Sequence, residues 1–251
     1  MLHFTDISND FKTILKLDTE PIGVRFLTSK KEAKSGMVSK KLNFCQLVAN
    51  ARYQNRTSTG VPEKMVCSLG ASALGLMKTP QCFQNGSAAA GKYTKNAEAG
   101  RVFFENTYKL GDIAKQFEAV EVGPLGAIQP IDVFVIYANP AQMLGLIHAN
   151  SYLDGRKTAG DTVAEGALCS ATAYAKGMNQ PIVGFPCAGD RRFASTQHSE
   201  LVFAAPIDDL QRIHTSLIEL RRLGPIYPIP PQSDFESLMP MAYTIKEADL
   251  L

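Results

Sequence analysis

The sequence predicts an α/β protein. Residues 131–138, Ile-Asp-Val-Phe-Val-Ile-Tyr-Ala, form an apolar run of strand length that Asn139-Pro140 turns into a helix start; a strand feeding a helix is the building unit of α/β folds. Residues 21–27 alternate Ile22, Val24 and Phe26, the period-two pattern of a strand. Helical spacings of apolar residues recur between and around these runs.

Taken in order, residues 7–17 carry Ile7, Phe11, Ile14 and Leu15 at spacings of three and four behind Asp6, a candidate N-cap, and predict an amphipathic helix. The strand at 21–27 follows. Residues 43–53 and 67–77 read as helices of small and apolar residues, the second loosened by Gly70 and Gly75, since a glycine inside a helix costs about 1 kcal/mol relative to Ala. Gln, Asn, Gly, Ser and Ala dominate residues 80–92, a loop by turn chemistry, before Val102, Phe103 and Tyr108 mark a helix over 96–109. Beyond the strand at 131–138, residues 155–162 read as loop, 163–176 as helix, 182–185 and 200–205 as strands, and 207–223 as a helix closed by Gly224-Pro225. Five prolines after Gly224 (Pro225, Pro228, Pro230, Pro231 and Pro240) predict an extended C-terminal arm over 225–251. Residues 1–224 then form one α/β unit with a mixed sheet.

At 251 residues, 45% of them hydrophobic, the chain can bury a large core and needs neither disulfides nor zinc to fold. Net charge is +2 without any basic run, so nucleic acid is not an expected partner. No apolar stretch nears the roughly 18 residues of a membrane span, and Asp6 and Asp10 interrupt the region where a signal peptide would need an apolar core. A cytoplasmic protein with reduced thiols is expected, its five cysteines serving packing, metal ligation or catalysis.

The cysteines lie in an internal echo. Cys45-Gln-Leu-Val-Ala-Asn-Ala-Arg52 and Cys169-Ser-Ala-Thr-Ala-Tyr-Ala-Lys176 share Cys, three residues, Ala, any residue, Ala, then a base. A second cysteine with a nearby glycine follows each, in Cys67-Ser-Leu-Gly70 and Cys187-Ala-Gly189. Pro21-Ile-Gly-Val24 and Pro130-Ile-Asp-Val133 stand ahead of them. Recurrence of common small residues gives such a pattern by chance; duplication gives it by descent. Duplication predicts two halves, about 1–125 and 126–224, related by a pseudo-two-fold axis, with two thiols from each at the seam. Cys82 has no counterpart.

Structural zinc usually takes close cysteine pairs, absent here, whereas iron–sulfur clusters also accept thiolates from separate segments. The expected site is therefore a 4Fe–4S cluster on Cys45, Cys67, Cys169 and Cys187, with zinc as the alternative metal. Gly70 and Gly189 would bring backbone close, and Arg52 would supply positive charge. Four packing cysteines are the opposing reading, because a free Cys behaves as a small buried hydrophobe. A redox dithiol ranks lower, without a Cys-x-x-Cys motif.

Residues 187–200 concentrate polar chemistry between two strands and read as a site loop: Arg191 or Arg192 to clamp an anion, His198 or Glu200 to move a proton. A solvated surface hairpin is the alternative. Asp132 falls at a strand start, and His148 and His214 read as surface or satisfied core residues. No dinucleotide, phosphate-loop, zincin or nucleophile-elbow motif is present.

Phe44-Cys45 through Ala51-Arg52, Cys67 with Gly70 and Gly75-Leu76, Asp132-Val133 through Asn139-Pro140, Gly166-Ala-Leu-Cys169, Cys187-Ala-Gly-Asp190-Arg191, and Glu200-Leu201 with Pro206 together resemble an uncharacterised prokaryotic family, domain of unknown function 169. Gln197-His198-Ser199 stands where that family more often has an acidic pair. The resemblance implies relatives in bacteria and archaea, many of them anaerobes, and four recurring cysteines that coincide with the four above; it implies no activity. The combined expectation is a redox protein serving a partner protein or a small-molecule substrate. Its competitors are a metal-free binding protein or enzyme that takes a small anionic ligand at the 187–200 loop, and a homo-oligomer held by the C-terminal arm.

Overall fold

A computed structural model describes residues 3–224; the expected proline-rich arm at 225–251 lies outside the described residues. Seven strands form one mixed sheet: β1 (Ile22–Leu27), β2 (Ser58–Gly60), β3 (Ala119–Pro124), β4 (Val133–Ala138), β5 (Ala159–Asp161), β6 (Ile182–Gly184) and β7 (Leu201–Pro206), in the order β2-β3-β1-β4-β7-β6-β5. Only β5 and β6 pair parallel; the other neighbours are antiparallel. At the centre, β1 meets β4 through Ile22↔Val135, Gly23↔Phe134 and Val24↔Val133.

Both faces of the sheet are covered, which is why β4 reads as an unbroken apolar run. Phe134, Ile136 and Ala138 pack with α1 (Phe4–Leu15), α6 (Pro140–Ser151) and α9 (Leu210–Leu223). Val133, Val135 and Tyr137 point the other way, toward α2 (Phe44–Gln54), α3 (Ser68–Ala73), α7 (Ala167–Met178) and α8 (Ala188–Ala194). This second face holds the cysteines. Two outlying helices, α4 (Gln81–Gln84) and α5 (Ala97–Glu105), pack together through Phe83 and Phe104. Among the described residues no helix is long and apolar enough to cross a membrane.

Several boundaries differ from the expectation for local reasons. The N-cap of α1 is His3, and Asp6 sits inside the first turn. The helix expected over 67–77 stops at Ala73, followed by Gly75 at φ +68°. That over 163–176 starts only at Ala167, because Gly166 is left-handed at φ +74°. The loop at 80–92 contains α4, and that at 155–162 contains β5. Half of the expected site loop at 187–200 is the helix α8. Asp132 does precede its strand, where it accepts from Phe26 N at 2.7 Å and pairs with Lys176 at 2.5 Å. His214 is buried against Asp10.

Two strands on the N-terminal side, β2 and β3, have no forerunner in the periodicity. Buried Glu121 masks β3; its carboxylate accepts the peptide N–H groups of Lys34 and Ser35 at 2.9 and 2.6 Å, with Arg25 at 3.6 Å. A charge inside a sheet is tolerable only when bonded in this way.

A four-thiol cavity as the candidate site

Cys45 and Cys169 lie in the first turns of α2 and α7, while Cys67 and Cys187 are the N-cap residues of α3 and α8. The two caps are built alike: Cys67 Sγ accepts from Gly70 N at 3.3 Å, and Cys187 Sγ from Asp190 N at 3.4 Å. All four side chains line one cavity of about 460 Å³. So do Asn43 and Gly166, the N-caps of α2 and α7. Four helix N-termini thus open on a single space, each presenting the positive end of its dipole.

Gly70, although not part of the cavity lining, packs against two of the sulfurs. A Cβ there would stand 3.1 Å from Cys169 Sγ and 3.6 Å from Cys67 Sγ, so both sulfurs approach one point above its backbone. Gly189 lines the cavity, but a Cβ on it would meet only Cys187 Sγ, at 3.7 Å. Val66, Leu69, Tyr93 and Phe193 supply apolar surface, and Glu165 and Arg192 the charged groups.

All five cysteines are free, with Cys82 exposed and away from the cavity lining. Burial pushes the Cys67 and Cys187 thiols above the usual thiol range, against the pull of their backbone N–H partners. Cys169 is raised furthest, by its hydrogen bond with the Cys45 thiol, by burial and by the neighbouring sulfurs. Cys67, Cys169 and Cys187 so placed hold their protons unless a cation takes them over. Glu165 is likewise raised by burial. Among the described residues no group of three or more His, Cys, Asp or Glu side chains is set to hold a single metal ion.

The remaining predicted site residues are not brought to the cavity. Arg52, expected beside the sulfurs, is buried in an ion pair with Glu200, stacks 3.5 Å above the Tyr137 ring and donates through Nε to Thr19 at 3.1 Å. Glu200 also accepts from Gln197 N at 2.7 Å. Arg191 donates to the Gln197 carbonyl at 2.7 Å, and His198 is exposed in the turn before β7. Arg192, the neighbour of Arg191, is the arginine that lines the cavity.

Sequence reasoning missed Glu165, Tyr93 and Asn43 in the lining, and the buried pair formed by Tyr137 with Asp190. Glu165 precedes Gly166-Ala-Leu-Cys169 and was signalled only by that proximity; Tyr93, in a polar loop, carries no signal. Tyr137 donates to the Asp190 carboxylate, with both oxygens at 3.0 Å. Burial raises Asp190 to about 6, opposed by the Tyr137 bond and the Arg52 charge.

The fold and the site define an α/β protein whose seven-stranded sheet carries a four-thiol cavity on one face. The chain belongs to the family described as uncharacterised ArCR, domain of unknown function 169, whose profile matches residues 10–216. It is 24% identical over 217 residues to an uncharacterised protein of Methanocaldococcus jannaschii, covering 84% of this chain and 91% of the relative. No solved structure matches it significantly.

Proposed function

We propose that Cys45, Cys67, Cys169 and Cys187 hold an iron–sulfur cluster, of the 4Fe–4S type, and that the protein is a redox protein. The observation carrying this reading is the convergence of four thiols and four helix N-termini on one cavity. Packing cysteines need no positive field, whereas thiolates and the sulfides of a cluster are anionic and seek N–H donors. The chemistry a cluster supplies is one-electron transfer, or Lewis-acid activation of a substrate when one iron lacks a protein ligand. The chain's part is to place the sulfurs and aim the Gly70 and Asp190 N–H groups at two of them.

A single tetrahedral zinc requires its sulfurs about 2.3 Å from one point. Thiols distributed around a cavity wall suit a polynuclear cluster better. Two related halves are part of the same reading. Outward from the β1–β4 seam the strands run β1, β3, β2 on one side and β4, β7, β6, β5 on the other, β5 having no counterpart, and the helices of each side carry one first-turn cysteine and one N-cap cysteine. A cytoplasmic setting and a redox partner or small substrate complete the reading.

The competing function is metal-free binding of a small anion. Arg192 in the lining favours it, as does a volume within the roughly 300–1,000 Å³ of ligand pockets. Iron and acid-labile sulfide analysis of protein purified without oxygen separates the two. About four of each per chain is expected, with loss in Cys45→Ser and no change in Cys82→Ser. Metal-free protein, with Cys45→Ser indistinguishable from the parent, overturns the cluster and leaves Arg192 as the place to seek a bound anion.

A further inference from the structure

The two N-cap cysteines receive the same backbone hydrogen bond but are supported differently. At the first cap the donor is Gly70, with no side chain to fix its peptide plane. At the second the donor is Asp190, fully buried, whose carboxylate accepts the Tyr137 hydroxyl. The Tyr137 ring lies beneath Arg52, and Arg52 is paired with Glu200 at the foot of β7. A chain of four buried polar side chains therefore runs from α2 and the sheet to the peptide N–H facing Cys187 Sγ.

Burying an arginine, a tyrosine hydroxyl and two carboxylates together is not an economical way to add stability, because an apolar replacement of similar volume is often as good. Such a network does fix geometry, since each member has few alternative partners. We propose that Asp190 is a positioning residue: clamped by Tyr137 over Arg52 and Glu200, it holds its own N–H on Cys187 Sγ and makes the Cys187 side of the site the rigid one, with the Cys67 side free to adjust.

This inference rests on the four thiols forming one site, but not on what fills it, so its test uses metal-free protein. Amide hydrogen exchange by NMR reads the two cap donors separately, with Gly70 N–H as the internal control. Tyr137→Phe and Asp190→Ala are expected to accelerate exchange at Asp190 or its replacement by about two- to ten-fold, the range of one ordinary hydrogen bond. Exchange at Gly70 is expected to stay unchanged. Asp190→Asn, which keeps an oxygen to accept from Tyr137, is expected to restore protection to near the parent level.

Equal acceleration at both caps would mean general loosening and would overturn the proposal, as would no acceleration at either or an Asp190→Asn variant no better protected than Asp190→Ala. Failure to find iron would remove the cluster reading and leave this result untouched.

Discussion

Adding one methyl group at Gly70 tests the sulfur site with little change to the rest of the protein. Gly70 occupies the third position of α3 with an ordinary helical backbone, so Ala introduces no strained φ. Helix propensity alone favours Ala by about 1 kcal/mol. Against this, the new Cβ would sit 3.1 Å from Cys169 Sγ and 3.6 Å from Cys67 Sγ, and overpacking of this kind costs about 1–3 kcal/mol. The net change in metal-free stability is therefore a loss of about 2 kcal/mol at most, a few degrees in Tm for a chain of this size. Cluster loading has no such compensation, since the methyl group stands where two ligand sulfurs must come together. The expected result for Gly70→Ala is a folded protein with less than about one iron per chain, against about four in the parent. Gly189→Ala is the matched control: its Cβ meets only Cys187 Sγ, at an ordinary 3.7 Å, and it should load normally. Iron and sulfide content with the absorption spectrum measures both. Full iron and an unaltered spectrum in Gly70→Ala would show that the cluster does not lie between Cys67 and Cys169.

The buried network allows further tests. Asp190 is raised from 3.8 to about 6, so between those values the native state binds more protons than the unfolded one. Its contribution, on the order of 3 kcal/mol, is full below about pH 4 and lost as pH rises through about 6; Asp190→Asn should flatten that part of the stability–pH curve measured by urea unfolding, and an unchanged slope would contradict the assignment. Arg52→Met leaves Glu200 buried without its partner and is expected to cost about 3–5 kcal/mol, most of it recovered in the double variant with Glu200→Leu; a single-variant loss under about 1 kcal/mol would show that the pair is not closed in solution. Glu121→Ala removes the acceptor of two peptide N–H groups and should destabilise by about 1–3 kcal/mol, read as a lower denaturation midpoint at constant m.

Periodicity revealed the elements whose burial is regular. β1 and β4 announce themselves because apolar side chains occupy successive or alternate positions, and α9 because Ile213, Leu217 and Leu220 repeat on one face. It failed where burial is achieved by polar bonding, as at Glu121 in β3, and where an element is too short to show a period, as in β2, β5 and α8. The cysteines were legible as a set because the echo tied them in pairs. Their surroundings were not, because which way a side chain turns is decided by long-range packing. Arg52 lies seven residues after Cys45 on α2, yet its guanidinium meets Glu200, contributed by the far end of the chain.

That dependence on distant segments has a temporal side. The cavity takes Cys45 and Cys67 from the first third of the chain and Cys169 and Cys187 from beyond its middle, and its walls meet only once β4 has docked on β1 and β7 on β4. During synthesis the two early thiols therefore wait, without their partners, until most of the polypeptide has left the ribosome. The four thiols can share one cavity only after the segment through β7 has been made, so a product that stops before Cys187 lacks the complete site.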